Sequence, residues 1–301
     1  MMDYREQITT VGDRLLVLAP AKINLSLLIA GKRPDGFHEI ETIMAKIDWY
    51  DEIHIQHGRQ NGIELICQGP CWAPAGEDNL AYKAAKSLLE SCSLKPDVRI
   101  TLTKNIPAGT GLGSASSDAA ATLIGINHYY KLDLDPKILF ETAAKLGSDV
   151  AFFLDGPLAF CTGKGEKVKK IDKIFNFLAI LILPDVSVST KKVYGNYRHN
   201  QQLYEKLNVR IKNHLLKNRI DLAVKMCTNM LAESCFDLEE SLAELKTTIE
   251  SLGIGPCCLS GSGSAMFCII ESGDEDEARE GMSELAGKIG CKSIIVRNNR
   301  W

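Results

Sequence analysis

A glycine-rich segment at residues 107–117 constrains this chain more than any other feature. It reads PAGTGLGSASS and lies between an apolar run at 98–103 and an alanine-rich stretch that continues to about residue 129. This order predicts a strand, a glycine loop and a helix. Such a loop brings backbone N–H groups and the positive end of a helix toward a bound anion. The segment therefore predicts a phosphate site, with a plain flexible turn as the alternative.

The loop differs from the common nucleotide-binding motifs. No Gly-Lys-Ser or Gly-Lys-Thr closes it, so it is not a Walker A loop. The dinucleotide fingerprint Gly-x-Gly-x-x-Gly also fails, because a serine, Ser114 or Ser116, stands where its last glycine would fall. The failed spacing and the late position in the chain disfavour a dinucleotide oxidoreductase. The His-Arg-Asp and Asp-Phe-Gly signatures of protein kinases are absent as well.

The charge balance argues against a nucleic-acid-binding protein. Thirty-five Lys and Arg against 38 Asp and Glu give a net charge of -3, and no stripe of basic and aromatic residues is present. No apolar run reaches the roughly 18 residues of a membrane span, and the N-terminus lacks a secretory pattern. We therefore expect a cytoplasmic protein that binds neither nucleic acid nor membrane.

The ten cysteines are expected to be reduced and buried rather than paired or metal-bound. They are scattered through the chain, and several lie in apolar runs, as Cys268 does. Cys67 with Cys71, and Cys257 with Cys258, are the only close groups, and neither has a second Cys or His pair to complete a zinc site.

The spacing of apolar residues predicts an α+β protein, and the length of 301 residues favours two domains. Strands are predicted at 15–19, 23–30, 40–47, 52–56, 63–67, 98–103, 177–183, 257–260, 265–270 and 293–296. Helices are predicted at 80–92, 117–129, 136–146, 206–217, 222–232 and 238–252, with one more between the last two strands. The charged, glycine-containing stretch 164–172 is the predicted hinge and divides the chain into domains 1–166 and 167–301.

Lys22 and Asp149 are charged residues in positions suited to phosphoryl chemistry, and each also has an ordinary alternative. Lys22 lies in the strand-like run PAKIN at 20–24, so its side chain is expected to face either a cleft or solvent. Asp149 follows Gly147 and Ser148 at a predicted helix start, where a carboxylate acts as a general base or as a helix N-cap. Local sequence leaves both interpretations open.

Two further loops carry groups suited to ligand binding. The turn DGFH at 35–38 places Phe37 beside His38, either to hold a planar ring or as an incidental surface turn. The segment LSGSGS at 259–264 lies between two predicted strands and is either a second phosphate-binding loop or a tight hairpin connection.

In their order along the chain these motifs resemble the GHMP kinases, named for galactokinase, homoserine kinase, mevalonate kinase and phosphomevalonate kinase. The resemblance rests on PAKINL at 20–25, RPDGFH at 33–38, PAGTGLGSASSD at 107–118, LGSDV at 146–150 and LSGSG at 259–263. The first two motifs are most similar to members that phosphorylate a cytidyl diphosphate alcohol. The resemblance implies an N-terminal domain of the ribosomal-protein-S5 type, a C-terminal ferredoxin-like domain and a cleft between them.

The resemblance also implies roles for individual residues. Asp149 would receive or orient the proton of a substrate hydroxyl, while Lys22 would keep Asp149 ionised and stabilise developing charge. The implied ATP-binding residues are Asn79, Lys104, Pro107, Ala108, Gly109, Thr110, Gly111, Leu112, Gly113, Ser114, Ala115, Ser116 and Ser117. The implied substrate-binding residues are Asn24, Phe37, His38, Thr190 and Tyr194, with the cytosine read by His38 and stacked between Phe37 and Tyr194.

The implied reaction is transfer of the γ-phosphoryl group of ATP to an alcohol, with Mg²⁺ bridging the phosphates and no dedicated protein metal site. The implied partner is a small molecule, and the chain is expected to be a monomer or weak homodimer. Ser114 and Ala115 are features of mevalonate-type relatives, so a kinase for a mevalonate-type alcohol is the alternative. A non-catalytic nucleotide sensor and an S5-like RNA-binding module are less favoured, the sensor because nucleotide binding alone does not require both Lys22 and Asp149.

Overall fold

The computed structural model describes residue 4 and residues 6–58, 61–173, 175–270 and 274–301. Its strands are β1 (Ile8–Val11), β2 (Arg14–Lys32), β3 (His38–His57), β4 (Gly62–Gln68), β5 (Asp97–Thr103), β6 (Leu158–Gly163), β7 (Lys167–Lys170), β8 (Leu178–Leu183), β9 (Thr228–Asn229), β10 (Cys257–Leu259), β11 (Met266–Ile270) and β12 (Lys292–Arg297). Its helices are α1 (Leu80–Ser91), α2 (Ser114–Tyr129), α3 (Pro136–Leu146), α4 (Val150–Phe153), α5 (Thr190–Asn196), α6 (Gln201–Leu216), α7 (Ile220–Lys225), α8 (Ala232–Leu238), α9 (Glu240–Ser251) and α10 (Glu275–Lys288).

The first sheet is built on the long antiparallel pair β2 and β3. Its main path runs β1-β2-β3-β5-β4, and β6 adds to β3, β7 to β6, and β9 to β2. Apolar residues of the sheet pack with those of α1 to α4 in one core, because the small side chains of α2 let that helix lie close to the strands. This arrangement places the start of α2 beside the middle of β2.

Strands β2 and β3 are longer than predicted. Sequence spacing placed a break at Pro20, but β2 continues through it, and the register with β3 shifts between Pro20 and Ala21. A proline has no N–H for the ladder, and a bulge is where a strand tolerates one. The prediction of two short strands in each of these segments is therefore wrong.

Helix limits also differ from the prediction at four places, one of which is α6, where the helix begins at Gln201 rather than at residue 206. Helix α2 begins at Ser114 rather than at residue 117. The predicted helix 222–232 is wrong, since α7 ends at Lys225, Cys227 takes a φ of 45° and β9 follows. The predicted helix 238–252 corresponds to α9, which begins at Glu240 after the chain has left α8.

The second sheet has the antiparallel order β10-β11-β8-β12. All residues of its central strand β8 are buried, so this strand forms the middle of a second apolar core. The two sheets and their helices confirm the predicted α+β class. The hairpin of β6 and β7 spans the predicted boundary between residues 166 and 167, so the first sheet extends to Lys170.

The two parts of the chain meet on β2 and β3. Strand β9 pairs in parallel with β2 at Ser26 and Leu27. The N–H of Asn299 donates to the carbonyl of Lys46 at 2.9 Å, and the N–H of Arg297 donates to Asp48 Oδ1 at 2.6 Å. Segments from the second half of the chain therefore hold the strand that carries Lys22.

The cysteines depart from expectation at one pair. Cys227 and Cys258 form a disulfide with a Cα–Cα distance of 5.4 Å, which lies within the usual range. The prediction that all cysteines are reduced is thus wrong for this pair, because β9 and β10 lie side by side. The other eight are free thiols.

None of the helices in the described ranges is both long enough and apolar enough to cross a bilayer.

Candidate active site

The glycine-rich loop between β5 and α2 is held by its carbonyl oxygens. The carbonyl of Thr110 accepts from the N–H of Ala265 at 3.1 Å, and the carbonyl of Leu112 accepts from the N–H of Lys22 at 2.9 Å. Between them, the Gly111 carbonyl accepts from Ser260 Oγ at 3.0 Å. A loop fixed through its carbonyls keeps its N–H groups for a ligand, as a phosphate cradle requires.

Two glycines of the loop sit where a side chain would collide with the scaffold. Gly111 has a φ of 79°, and a Cβ there would lie 2.0 Å from the carbonyl oxygen of Ser260. Gly113 has a φ of 70°, and its Cβ would lie 2.9 Å from the side chains of Lys22 and Phe153. Both need a left-handed backbone and close approach, which only glycine combines without strain.

Lys22 and Asp149 lie together at the end of this loop. Lys22 Nζ is 3.6 Å from Asp149 Oδ2, with the lysine side chain 4% exposed and the aspartate side chain 28% exposed. Burial lowers the pKa of Lys22, and the charge of Asp149 opposes that shift. Asp149 immediately precedes α4 but makes no side-chain capping bond, so its carboxylate is not used as a cap.

Asn24 supports Lys22 from the same strand. Its Oδ1 accepts a hydrogen bond from Lys22 Nζ, and its Nδ2 donates to Thr42 Oγ1 at 2.9 Å. The N–H of Asn24 donates to Ser260 Oγ at 3.3 Å. The side chain is 5% exposed and aims the ammonium of Lys22, while the predicted contact with substrate remains a prediction.

Lys104 lies beneath the loop rather than on its surface. Its ammonium contacts the carboxylate of Asp51, the hydroxyl of Ser114 and Asp118 Oδ2, the last at 2.7 Å. These contacts use all three N–H donors of an ammonium. Burial acts to lower the pKa of Lys104, but the carboxylates of Asp118 and Asp51 outweigh it and raise the pKa overall.

Asn79 is the N-cap of α1. Its Oδ1 accepts from the N–H of Ala81 at 2.8 Å, and its Nδ2 donates to the carbonyl of Pro74 at 2.8 Å. In the connection that precedes α1, the N–H of Cys71 donates to the carbonyl of Lys104 at 3.1 Å. Asn79 thus orders a segment that lies beside the entry to the glycine loop.

An aromatic group forms where β3 meets α5. The ring of His38 lies 5.4 Å from that of Tyr194 at an interplanar angle of 31°, and 5.6 Å from that of Tyr197 at 89°. Burial lowers the pKa of His38, with Lys32 adding to the effect, so the imidazole is held neutral. A neutral imidazole both donates and accepts a hydrogen bond, as recognition of a base edge requires.

Phe37 and Thr190, also expected on the substrate side, lie outside the group of rings formed by His38, Tyr194 and Tyr197. Phe37 is 57% exposed, and Lys164 Nζ lies 4.7 Å from its ring centroid. Its ring contacts this lysine rather than Tyr194. Thr190 is the first residue of α5, and its Oγ1 lies 2.9 Å from Ser262 Oγ.

The loop between β10 and β11 is a hairpin connection, because it joins antiparallel neighbours. Its Ser260 donates to the carbonyl of Gly111 in the glycine loop, while phosphate binding by residues 259–264 stays a prediction. Sequence reasoning missed Tyr197 and Asp51. A second tyrosine close after Tyr194 was the available signal for Tyr197, whereas an aspartate between predicted strands gives no sign of its contacts.

The described residues contain no group of three or more His, Cys, Asp or Glu that could hold a metal ion. Oxygen donors are present next to the loop, however. The hydroxyl of Ser117, in the first turn of α2, is fully buried and has no hydrogen-bond partner among the described residues. A hard cation bound mainly by phosphate oxygens fits this donor set.

Comparison with known proteins confirms the resemblance drawn from the motifs. The family model for the GHMP kinases N-terminal domain matches residues 79–157, and the one for the GHMP kinases C-terminal domain matches residues 211–288. The 4-diphosphocytidyl-2-C-methyl-D-erythritol kinase of Bacillus cytotoxicus is 37% identical over 257 residues, covering 85% of this chain and 88% of the relative. The enzyme of that name from Bacillus cereus is 38% identical over 260 residues, with the same coverage.

Solved structures agree. A crystal structure of 4-(cytidine 5'-diphospho)-2C-methyl-D-erythritol kinase superposes with a TM-score of 0.74 at 32% identity, covering 94% of this chain and 99% of that one. Homoserine kinase from Cytophaga hutchinsonii, at 20% identity and a TM-score of 0.75, shares the fold and covers 97% of this chain and 96% of its own. The chain belongs to the GHMP kinases, in the family of the 4-diphosphocytidyl-2-C-methyl-D-erythritol kinases.

Proposed function

We propose that this chain transfers the γ-phosphoryl group of ATP to the 2-hydroxyl of 4-diphosphocytidyl-2-C-methyl-D-erythritol, a step of the non-mevalonate route to isoprenoid precursors. The observation that carries the proposal is the ion pair of Lys22 and Asp149 at the end of the glycine loop, with Nζ and Oδ2 3.6 Å apart. The names of the relatives supply the identity of the alcohol.

The reaction needs a group that manages the proton of the attacking hydroxyl. In the proposed step the substrate oxygen forms a bond to the γ-phosphorus, the bond from that phosphorus to the β,γ-bridging oxygen breaks, and ADP leaves. Asp149 accepts or orients the hydroxyl proton, since its carboxylate is partly exposed and free of helix capping. Lys22 Nζ, 3.6 Å from Asp149 Oδ2, pairs with this carboxylate and stabilises charge on the transferred group.

The loop residues 107–113 and the start of α2 would hold the triphosphate. The loop is already anchored through the carbonyls of Thr110, Gly111 and Leu112, so the cradle is formed before ligand binds. A Mg²⁺ ion would be held by phosphate oxygens with the unpartnered hydroxyl of Ser117 beside them. When bound, the ion neutralises charge on the phosphates.

The neutral His38 and the ring of Tyr194 support recognition of the cytosine. The two rings lie 5.4 Å apart, on elements from the two halves of the chain. Burial raises the pKa of Tyr194, and the charge of Asp149 adds to that shift. The structure adds Tyr197 to the residues expected here, and Phe37 would have to turn from Lys164 to stack on a base. Asn24 and Thr190 complete the proposed substrate side.

The test is ADP release with 4-diphosphocytidyl-2-C-methyl-D-erythritol, measured beside mevalonate, homoserine and galactose. We expect turnover of the cytidyl alcohol alone. Turnover of mevalonate without the cytidyl alcohol would replace this function with that of a mevalonate-type kinase.

Asp149→Asn is the matched control for this assay. We expect it to bind nucleotide as the wild type does and to lose turnover by roughly 10²-fold or more, the scale of an acid–base contribution. Undiminished turnover would remove Asp149 from the reaction. Nucleotide binding without turnover of any alcohol by the wild type would favour a nucleotide sensor.

A further inference from the structure

Asp51 is a fully buried carboxylate at the point where β3 passes the entry to the glycine loop. Its Oδ1 accepts from the N–H of Asn105 at 2.6 Å and from the N–H of Ile106 at 2.9 Å. These two peptides are the last before the loop begins at Pro107. One oxygen of the carboxylate therefore fixes the chain at the loop entry.

The second oxygen fixes the loop exit. Asp51 Oδ2 accepts from Ser114 Oγ at 3.2 Å, and Ser114 is the first residue of α2. Ser114 Oγ also lies 3.3 Å from the carbonyl of Ile106, so the two ends of the loop meet directly. A single side chain thus bridges residues 105–106 and residue 114 across the loop.

The ammonium of Lys104 joins this bridge to the next turn of α2. It contacts Asp51, Ser114 and Asp118, and both carboxylates are buried. Burial favours the protonated form of Asp118 and raises its pKa, while Lys104 acts against this and Asp51 adds to it. Two buried carboxylates, Asp51 and Asp118, therefore share the single ammonium of Lys104.

We propose that Asp51 is a positioning residue that closes the ends of the glycine loop and so sets the shape of the triphosphate cradle without touching ATP. The proposal rests on the proposed kinase function for its ligand. Ser114 is explained by it, because the hydroxyl faces the bridge under the loop rather than the ligand, and a glycine there would leave Asp51 Oδ2 without this donor.

Asp51→Asn and Asp118→Asn form a matched pair for the test. Each removes one buried carboxylate from Lys104 with almost no change in volume, but Asp118 makes no contact with residues 105–113 among the described hydrogen bonds. In Asp51→Asn the amide oxygen stays with the N–H groups of Asn105 and Ile106. The new NH₂ group therefore faces the ammonium of Lys104, which can only donate, and Ser114 loses the oxygen to which it donated. We expect its affinity for a non-hydrolysable ATP analogue to fall about tenfold or more, the scale of an unpaired buried group. Asp118→Asn should change the affinity by less than about twofold.

Hydrogen exchange of the nucleotide-free proteins gives a readout that does not depend on activity. Asp51→Asn should exchange faster in residues 107–113, and Asp118→Asn should match the wild type there. Equal losses of affinity in the two variants, or unchanged loop exchange in Asp51→Asn, would overturn the proposal. If Asp51→Asn does not fold, Ser114→Ala provides the test. We expect faster hydrogen exchange in residues 107–113 of this variant, and exchange at the wild-type rate would refute the bridge.

The same titration separates this proposal from the proposed function. If the wild type binds the analogue and Asp51→Asn binds it equally well, only the positioning role falls. If the wild type binds no nucleotide, the kinase function falls and the role of Asp51 in shaping an ATP site falls with it.

Discussion

Lys22 and Lys46 are register partners on β2 and β3, yet their surroundings differ sharply. Lys22 has Asp149 as a counter-charge, whereas Lys46 Nζ donates to the carbonyls of Phe153 at 3.2 Å and Asp155 at 2.5 Å. Burial lowers the pKa of Lys46 to about 7, with the charge of Asp155 opposing the shift. Burial lowers the pKa of both lysines, but only Lys22 has a carboxylate of the described residues within ion-pair distance of its ammonium.

The stability of the protein should therefore rise with pH through the charge on Lys46. Its pKa is about 7 when folded, from an ordinary value of 10.5, so between these limits the unfolded chain binds more protons. The free energy of unfolding should increase by up to about 1.4 kcal/mol per pH unit from this group. We expect Lys46→Met to lose this dependence, measured by urea unfolding at about pH 7 and about pH 9.

Lys170→Met is the matched control, because Lys170 lines the same cavity of about 500 Å³ as Lys46 but its side chain is 47% exposed. It should keep most of the wild-type pH dependence, because the charge of Lys170 is the smallest of the three causes that act on the pKa of Lys46. The same slope in the wild type and Lys46→Met would show that the buried amine stays charged in the folded protein.

At the scale of elements, local signals predict the limits of a helix or strand well only where both of its ends carry their own start and stop residues. Helix α3 has the predicted limits, Pro136 to Leu146, because Asp135 caps it, Pro136 starts it and Gly147 follows. Strand β2 could not be predicted in one piece, since only its pairing with β3 tells where the bulge at Pro20 is accommodated. The GHMP kinase fold and its loop were recognisable from motifs that are local in sequence.

The contacts of the site were not predictable in the same way. Lys22 and Asp149 are far apart in sequence, so their 3.6 Å approach depends on how β2, α2 and α4 pack. Lys104 was expected near the nucleotide, but its contact with Asp51 requires the register of β3 on β5. Chemistry read from a motif identifies candidate residues, while tertiary packing decides which atoms meet.

The junction of the two glycine loops should be intolerant of a single added methyl group. Gly111→Ala places a Cβ against the backbone of Ser260, and Gly109→Ala takes a similar φ of 74° with nothing within 4 Å. We expect Gly109→Ala to cost about 1–2 kcal/mol of unfolding free energy from left-handed strain. Gly111→Ala should cost about 1–3 kcal/mol of unfolding free energy more than Gly109→Ala because of the collision. It should also raise the KM for ATP more than Gly109→Ala does. Chemical unfolding and ATP titration of both variants measure this, and equal losses would mean that the contact with Ser260 carries no energy.

On the scale of the whole molecule, the site is assembled from both halves of the chain. The first half supplies the glycine loop, the ion pair of Lys22 with Asp149, and His38, and the second supplies Tyr194 and the Ser260 loop. Neither half contains a complete site, so the relative position of the two halves sets the geometry of the reaction. The strand pairing of β9 with β2 and the bond from Asn299 to Lys46 hold that position.

The contact of His38 with Tyr194 provides a test of this division, because each ring comes from a different half. We expect His38→Ala and Tyr194→Ala each to raise the KM for the cytidyl alcohol about tenfold, as for loss of a stacking or base contact. Residues in contact do not act independently, so the double variant should lose less than the product of the two single losses. The KM for ATP should stay unchanged in all three, since no ring contact or hydrogen bond among the described residues joins the glycine loop to either ring. If the two single effects on the KM for the cytidyl alcohol multiply in the double variant, the rings act at separate places. If the KM for ATP rises by a similar factor, these substitutions displace one half of the molecule against the other.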